Sequence, residues 1–202
     1  MSMRERPILF SAESICAILR DAKTQTRRVI KFPRRVLPAE IAASTVAYPD
    51  GGGNWVFWGG PDFPGLADFT RNSCPFGDGI PCPYGKPGDR LWVRETYGYE
   101  VGRATTVYRA DVDAGLFAWK SPIFMPRSLA RLFLEVVSVR AEQLHAITEE
   151  DARAEGVGSV AEYVLLWNKL NAKRGYSWES NPWIWRVEFR STTVGRADSI
   201  EE

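Results

Sequence analysis

With 202 residues, 45% of them hydrophobic, the chain has the length and apolar content for one domain with a sizeable core, or one domain carrying a large insertion. A net charge of +1 excludes a uniformly basic nucleic-acid coat, so any polyanion would have to meet a local patch. No apolar run approaches the ~20 residues that cross a bilayer, Met1 to Arg6 is not followed by a signal-peptide core, and three cysteines suit a reducing, cytoplasmic setting better than a disulfide framework.

Taken in order, Ile8-Leu9-Phe10 is a short apolar run and Ser11 fits an N-cap. Ile15, Ile18, Leu19 and Ala22 then recur at helical spacing, with Phe10 placed to staple onto Ile15 across the cap. The expected helix delivers Lys23-Thr24-Gln25-Thr26-Arg27-Arg28 just past its last turn. From Lys23 to Arg35 there are six basic residues and no acidic one, a cluster that repels itself unless an anion lies nearby. The plainer alternative is a helix end followed by a solvated basic turn, since cations suit helix C-termini.

Residues 32–87 differ in character, holding nine of the 13 prolines and nine glycines. A structureless loop of that length does not suit a compact domain, and one hairpin is legible, Thr45 to Tyr48 against Trp55 to Trp58. The segment reads as an insertion whose aromatics form either a satellite core or an interaction surface. Cys74 and Cys82 are the only close pair of thiols. With His145 as the one histidine and no Cys-x-x-Cys, no metal site is expected.

Gly85-Lys86-Pro87-Gly88-Asp89 is a turn, and Arg90 to Thr96 alternates as a strand. Leu91, Val93 and Glu95 point one way; Arg90, Trp92, Arg94 and Thr96 point the other. That second face offers guanidiniums for phosphate and an indole for base stacking, or else arginines paired with carboxylates around a covering tryptophan. Lys86, at the turn feeding this strand, joins the candidate nucleic-acid contacts. Thr106 to Ala110 is a further strand, and Arg131 to Arg140 a longer one, apolar through Leu132-Phe133-Leu134 and Val136-Val137 and hence central. Thr148 caps an acidic helix closed by Gly156. Glu149, Glu150 and Asp151 complement its dipole, whereas Glu155 sits at the end where a carboxylate is disfavoured. Ser159 opens another helix, with Val160, Tyr163, Val164, Trp167 and Leu170 on one face. Trp183 to Arg190 closes the fold, with Trp183, Trp185, Val187 and Phe189 on one side, and the tail from Ser191 is polar.

No nucleophile elbow, phosphate loop or dinucleotide fingerprint is present, so no cofactor is expected and any general base has to be a lysine or a carboxylate. The order of four motifs is more telling. Lys23-Thr24-Gln25-Thr26-Arg27-Arg28, Cys82 to Gly85, Gly88-Asp89-Arg90-Leu91-Trp92-Val93-Arg94-Glu95 and Ser177 to Trp183 together resemble the ASCH domain family. Their arrangement is most similar to the larger ASCH-like proteins common in phages and prophages, and the resemblance spans roughly residues 7–190. It implies an α+β fold, a PUA-like β-barrel of five to six strands with flanking helices and a Pro/Gly-rich insertion. The domain would cover residues 1–190 with the insertion at 32–87, leaving 191–202 as a tail. It also implies RNA, DNA or a modified nucleoside as partner, with no membrane. One bacterial branch deacylates N4-acetylcytidine with a Lys, a Thr and a Glu, whose counterparts here are Lys23, Thr26 and Glu155. Arg27, Arg28, Lys86, Arg90, Trp92 and Arg94 are the expected nucleotide contacts. The same positions would equally serve a non-catalytic base reader, and an exposed aromatic insertion would equally serve a protein interface.

Overall fold

The computed structural model describes residues 3–32, 46–49, 54–58, 80–100, 105–112 and 117–192. Its main element is a five-stranded mixed sheet. In chain order its strands are β1 (Glu5–Leu9), β2 (Gln25–Val29), β6 (Arg90–Arg94), β10 (Phe133–Gln143) and β11 (Trp183–Ser191). Their spatial order is β1-β6-β10-β11-β2, with β1 parallel to β6 and the other pairs antiparallel.

The period-2 patterning decides what this sheet encloses. Ile8, Leu91, Val93, Leu134, Val136, Trp185, Val187 and Phe189 point to one side and form the larger buried core. The alternate positions of β11 face the other way, where Ile184 joins Leu144, Ala152, Tyr163 and Trp167 beneath the helices. Those helices are α2 (Glu149–Ala154) and α3 (Val160–Asn171), while α1 (Ala12–Leu19) lies between β1 and β2 in the chain. Ser11 accepts from the Ser14 amide at the start of α1. Thr148 and Asp151 form a reciprocal capping box on α2.

The sheet curls. Its edge strands, β1 and β2, would lie ~19 Å apart across four strand spacings if it were flat, yet Arg28 Nη2 donates to the Leu9 carbonyl at 2.6 Å. An arginine cannot bridge the flat distance, so the edges turn towards each other and leave a mouth between them.

Two smaller sheets lie on this body. One comprises β3 (Val46–Pro49), β4 (Asn54–Trp58) and β5 (Ile80–Pro81); the other comprises β7 (Tyr97–Glu100), β8 (Thr106–Tyr108) and β9 (Phe117–Lys120). The hairpin expected within residues 32–87 is the antiparallel β3–β4 pair. Residues 33–45, 50–53 and 59–79 of that stretch, Arg34, Arg35 and Cys74 among them, lie outside the described residues, as does the tail from 193. The α+β class and the five-stranded sheet agree with expectation. Strand β2 was not among the expected elements: the polar stretch Gln25–Val29, for which a solvated basic turn was one alternative, is a strand with five paired positions opposite Ile184 to Glu188. No helix among the described residues is long and apolar enough to cross a membrane.

Candidate functional site

The site begins where α1 ends. Asp21 takes a left-handed φ of 55° and its amide donates to the Ile18 carbonyl at 3.0 Å, stopping the helix and turning the chain towards β2. The C-terminus of α2 docks on this turn. A helix end leaves carbonyls without intrahelical partners, and two of them are met here: Thr24 donates its amide to Ala154 O at 2.9 Å, and Lys23 Nζ donates to Glu155 O at 2.7 Å. The same ammonium lies 2.6 Å from Glu155 Oε2. Gly156 follows at φ +87°, and a Cβ there would stand 3.2 Å from the Cβ atoms of both Ala17 and Lys23. The glycine therefore ends α2 and permits its close approach to Lys23. Lys23 and Glu155, 132 residues apart, form a buried ion pair, each about 5% exposed.

Strand alternation then divides the motif. Thr26 and Arg28 lie opposite Val187 and Trp185 in register, so they share the inner face of the curled sheet. Thr26 is buried there. Arg28 spans the mouth to Leu9 and stacks its guanidinium 5.1 Å from the Phe10 ring centroid, while Lys23 Nζ lies 5.9 Å from the same centroid. Phe10 is thus the common floor of both cations. The tyrosine Tyr84 also belongs to this region; burial pushes its hydroxyl up, opposed by the charge of Arg28. Cys82 packs into the same core, and burial pushes its thiol up to about 12.

Arg27 points to the opposite face and is not available to phosphate. Its side chain is fully buried, with Nη2 3.0 Å from both Glu142 Oε1 and Asp151 Oδ2, and Nη1 3.6 Å from Glu155 Oε1. Arg186 extends the network to Asp151 at 3.0 Å and Glu188 at 2.7 Å. Of the basic cluster read from the sequence, Lys23 is neutralised by Glu155, and Arg27 by Glu142 and Asp151 with Glu155 nearby. Burial pushes the Glu142 carboxyl up despite Arg27 and Arg186. Burial likewise works against Asp151, yet its hydrogen bonds from Thr148 and the two arginines hold it below the ordinary aspartate value.

The second predicted face, Arg90-Trp92-Arg94, also differs from a bare stacking platform. Leu91 and Val93 face the core as expected. Trp92 is buried, and the Arg94 guanidinium lies 4.6 Å from its ring centroid. Arg94 donates to Ile123 O at 3.3 Å, and Arg90 pairs with Glu5 at 3.6 Å. The side chains of this face are held by contacts of their own, while the Arg94 carbonyl accepts the Phe10 amide at 3.2 Å. The carboxylates of the same motif are structural: Asp89 accepts the amides of Arg4 and Lys86, and Glu95 takes a two-pronged contact from Arg131 at 2.8 and 2.9 Å. The Ser177 to Trp183 motif likewise shapes a turn. Asn181, at φ 39°, accepts the His145 amide, and Trp178 stacks on the imidazole at 4.5 Å.

The residues the sequence reading passed over are Phe10, Glu142, Asp151 and Arg186. Phe10 was noted only as a staple and Asp151 only as a first-turn acid; Glu142 and Arg186 carried no local signal, because their partners come from other elements. Among the described residues no group of His, Cys, Asp and Glu forms a metal-binding cluster.

No family model and no curated protein matches the chain. Solved structures do resemble it in overall path. Protein EF3133 from Enterococcus faecalis V583, of family DUF984, is 9% identical, with 97% of this chain and 84% of that one covered at a TM-score of 0.42. The ASCH domain from Lactobacillus crispatus JV V101 is 12% identical, with 93% and 79% covered at a TM-score of 0.41.

Proposed function

We propose that the chain binds a modified nucleoside, or a nucleic-acid segment presenting one, at the mouth between β1 and β2. The observation that carries this reading is the convergence on Phe10 of Arg28 and of Lys23 with its partner Glu155. An aromatic floor edged by two cations and a carboxylate suits a planar base with hydrogen-bonding edges and a phosphate beside it. The polyanion contact belongs to Arg28 and not to Arg27, whose charge is already met inside. Binding of single-stranded RNA or DNA by the full chain, followed by fluorescence anisotropy, is expected to weaken as salt rises. Arg28→Ala is expected to flatten that dependence by about one ion, and Arg27 is not expected to carry it. Absence of binding to nucleosides, RNA and DNA alike at low salt overturns the reading.

A second reading rests on the Lys23–Glu155 ion pair together with Thr26, buried three residues further along on the inner face. It is hydrolysis of an N4-acylated cytosine. Lys23, after passing a proton to Glu155, would accept the proton of Thr26 Oγ1 as that oxygen attacks the amide carbonyl. Collapse of the tetrahedral species breaks the C–N bond, the amine leaves with the proton, and water then hydrolyses the threonyl ester to the free acid. Purified chain incubated with N4-acetylcytidine is expected to release acetate, and Thr26→Val and Lys23→Met should each reduce release to background without adding to one another. If the modified nucleoside binds and no acid appears, the site reads bases without turning them over.

A further inference from the structure

A second concavity lies where the β3–β4 hairpin covers the end of β10. Its volume is about 530 Å³, and its walls include Pro49 and Trp55 of the hairpin, Lys86 of the Gly85–Asp89 turn, and Arg140, Ala141 and Glu142 of β10. That volume falls in the range of small-ligand sites, roughly 300–1,000 Å³. Three of its walls are held by contacts made behind them. Trp55 rests edge-on against the buried Trp185 at 6.3 Å. The Lys86 amide donates to the buried Asp89 carboxylate at 3.2 Å, and the Asp89 amide returns to Lys86 O at 2.9 Å. Gly85 at φ +92°, where a Cβ would stand 2.6 Å from Asp89 Oδ2, permits that turn. Glu142 is fixed by Arg27 at 3.0 Å.

We propose that this concavity is a nucleotide subsite, taking a nucleobase against Trp55 and the apolar wall, its phosphate at Lys86 and Arg140, and an amine or hydroxyl donor at Glu142. The chemistry selects this class. Indole and proline walls alone would take any apolar group, and two cations alone any anion. A fixed carboxylate beside them disfavours a simple polyanion and favours a ligand that also brings a donor, which a nucleotide does with its exocyclic amine or ribose hydroxyls. The subsite deepens the reading given above, since a chain with two base-sized sites accepts a segment of nucleic acid better than a free nucleoside. Arg27 joins the two sites: one end of its guanidinium contacts Glu142 in this wall and the other approaches Glu155, the partner of Lys23.

The test uses the full chain, titrated by calorimetry with cytidine 5′-monophosphate, adenosine 5′-monophosphate, the matching nucleosides and inorganic phosphate. Nucleotides are expected to bind at least tenfold more tightly than nucleosides or phosphate. Trp55→Ala and the double variant Lys86→Gln/Arg140→Gln should each weaken the subsite's class of nucleotide binding at least tenfold, while Arg28→Ala should remove only the separate class that the mouth contributes. Unfolding midpoints within a few degrees of the parent identify folded variants, and Trp55→Phe, which keeps an aromatic wall, should recover most of the affinity. Equal affinity for phosphate and nucleotide, or loss of nucleotide binding in Arg28→Ala with none in Trp55→Ala, overturns the subsite. The latter result leaves the mouth intact as a binding site. Loss in the Trp55 and Lys86/Arg140 variants but not in Arg28→Ala supports the subsite even where the mouth fails to bind.

Discussion

Lys23 shows how one residue acquires a role from its surroundings. Its ammonium is buried and meets two acceptors of one residue, the backbone carbonyl and the carboxylate of Glu155. A buried ion pair contributes little net stability, but removing one member strands the other and costs about 3–5 kcal/mol. Glu155→Gln and Lys23→Met should therefore each destabilise the chain by about that amount in urea unfolding. Because the two act on one contact, the combined variant should fall short of the sum by on the order of 0.5–3 kcal/mol. Strict additivity would show that the pair is not coupled in solution. The same logic explains Arg27, which the sequence offered as a phosphate ligand and the fold has enclosed among Glu142, Asp151 and Glu155.

At the scale of the element, α2 is the piece that assembles the site. It has only six residues, too few for stable isolated helix, and it is held at both ends by side chains. Thr148 and Asp151 close its start, while Lys23 and Thr24 take up the carbonyls at its finish. Asp151 also grips Arg27 and Arg186, and its carboxyl lies below the usual value because these donors and charges outweigh burial. A depressed folded-state value gives stability that is present above the unfolded value of about 3.9 and lost as pH falls through the folded one. Asp151→Asn should accordingly be less stable than the parent at neutral pH, and the difference should narrow below about pH 4 in acid-unfolding curves monitored by circular dichroism. Glu142, pushed upward, acts with the opposite sign, so a difference that widens in acid would assign the network's pH response to Glu142 instead.

For the molecule as a whole, curvature is the organising feature. The sheet curls until Arg28 of one edge strand reaches Leu9 of the other, and the mouth left between those edges holds Phe10, Lys23, Thr26 and Arg28. On the outer face Arg27 and Arg186 meet Glu142, Asp151 and Glu188, and Glu155 links that network to Lys23. The small β3–β4–β5 sheet adds a second concavity at the end of β10. Between the inner and outer faces stands β2, whose alternation sends Thr26 and Arg28 inward and Arg27 outward.

Local patterning determined a good deal by itself. The helix caps at Ser11, Thr148 and Ser159, the period-2 faces of β6 and β11, and the hairpin at 46–58 follow from rules that act over a few residues. So does the oddity of Glu155 at a helix C-terminus, which pointed to a partner without naming it. Strand β2 was illegible because its five residues, Gln-Thr-Arg-Arg-Val, carry no apolar alternation; each face finds its partners only when β11 and α2 arrive. The fate of Arg27 was illegible for a related reason. A sequence lists charges along the chain, whereas screening and pairing depend on distance in space, and the carboxylates that neutralise Arg27 lie more than a hundred residues away. Tertiary structure alone decided which of the basic residues meet carboxylates inside the fold.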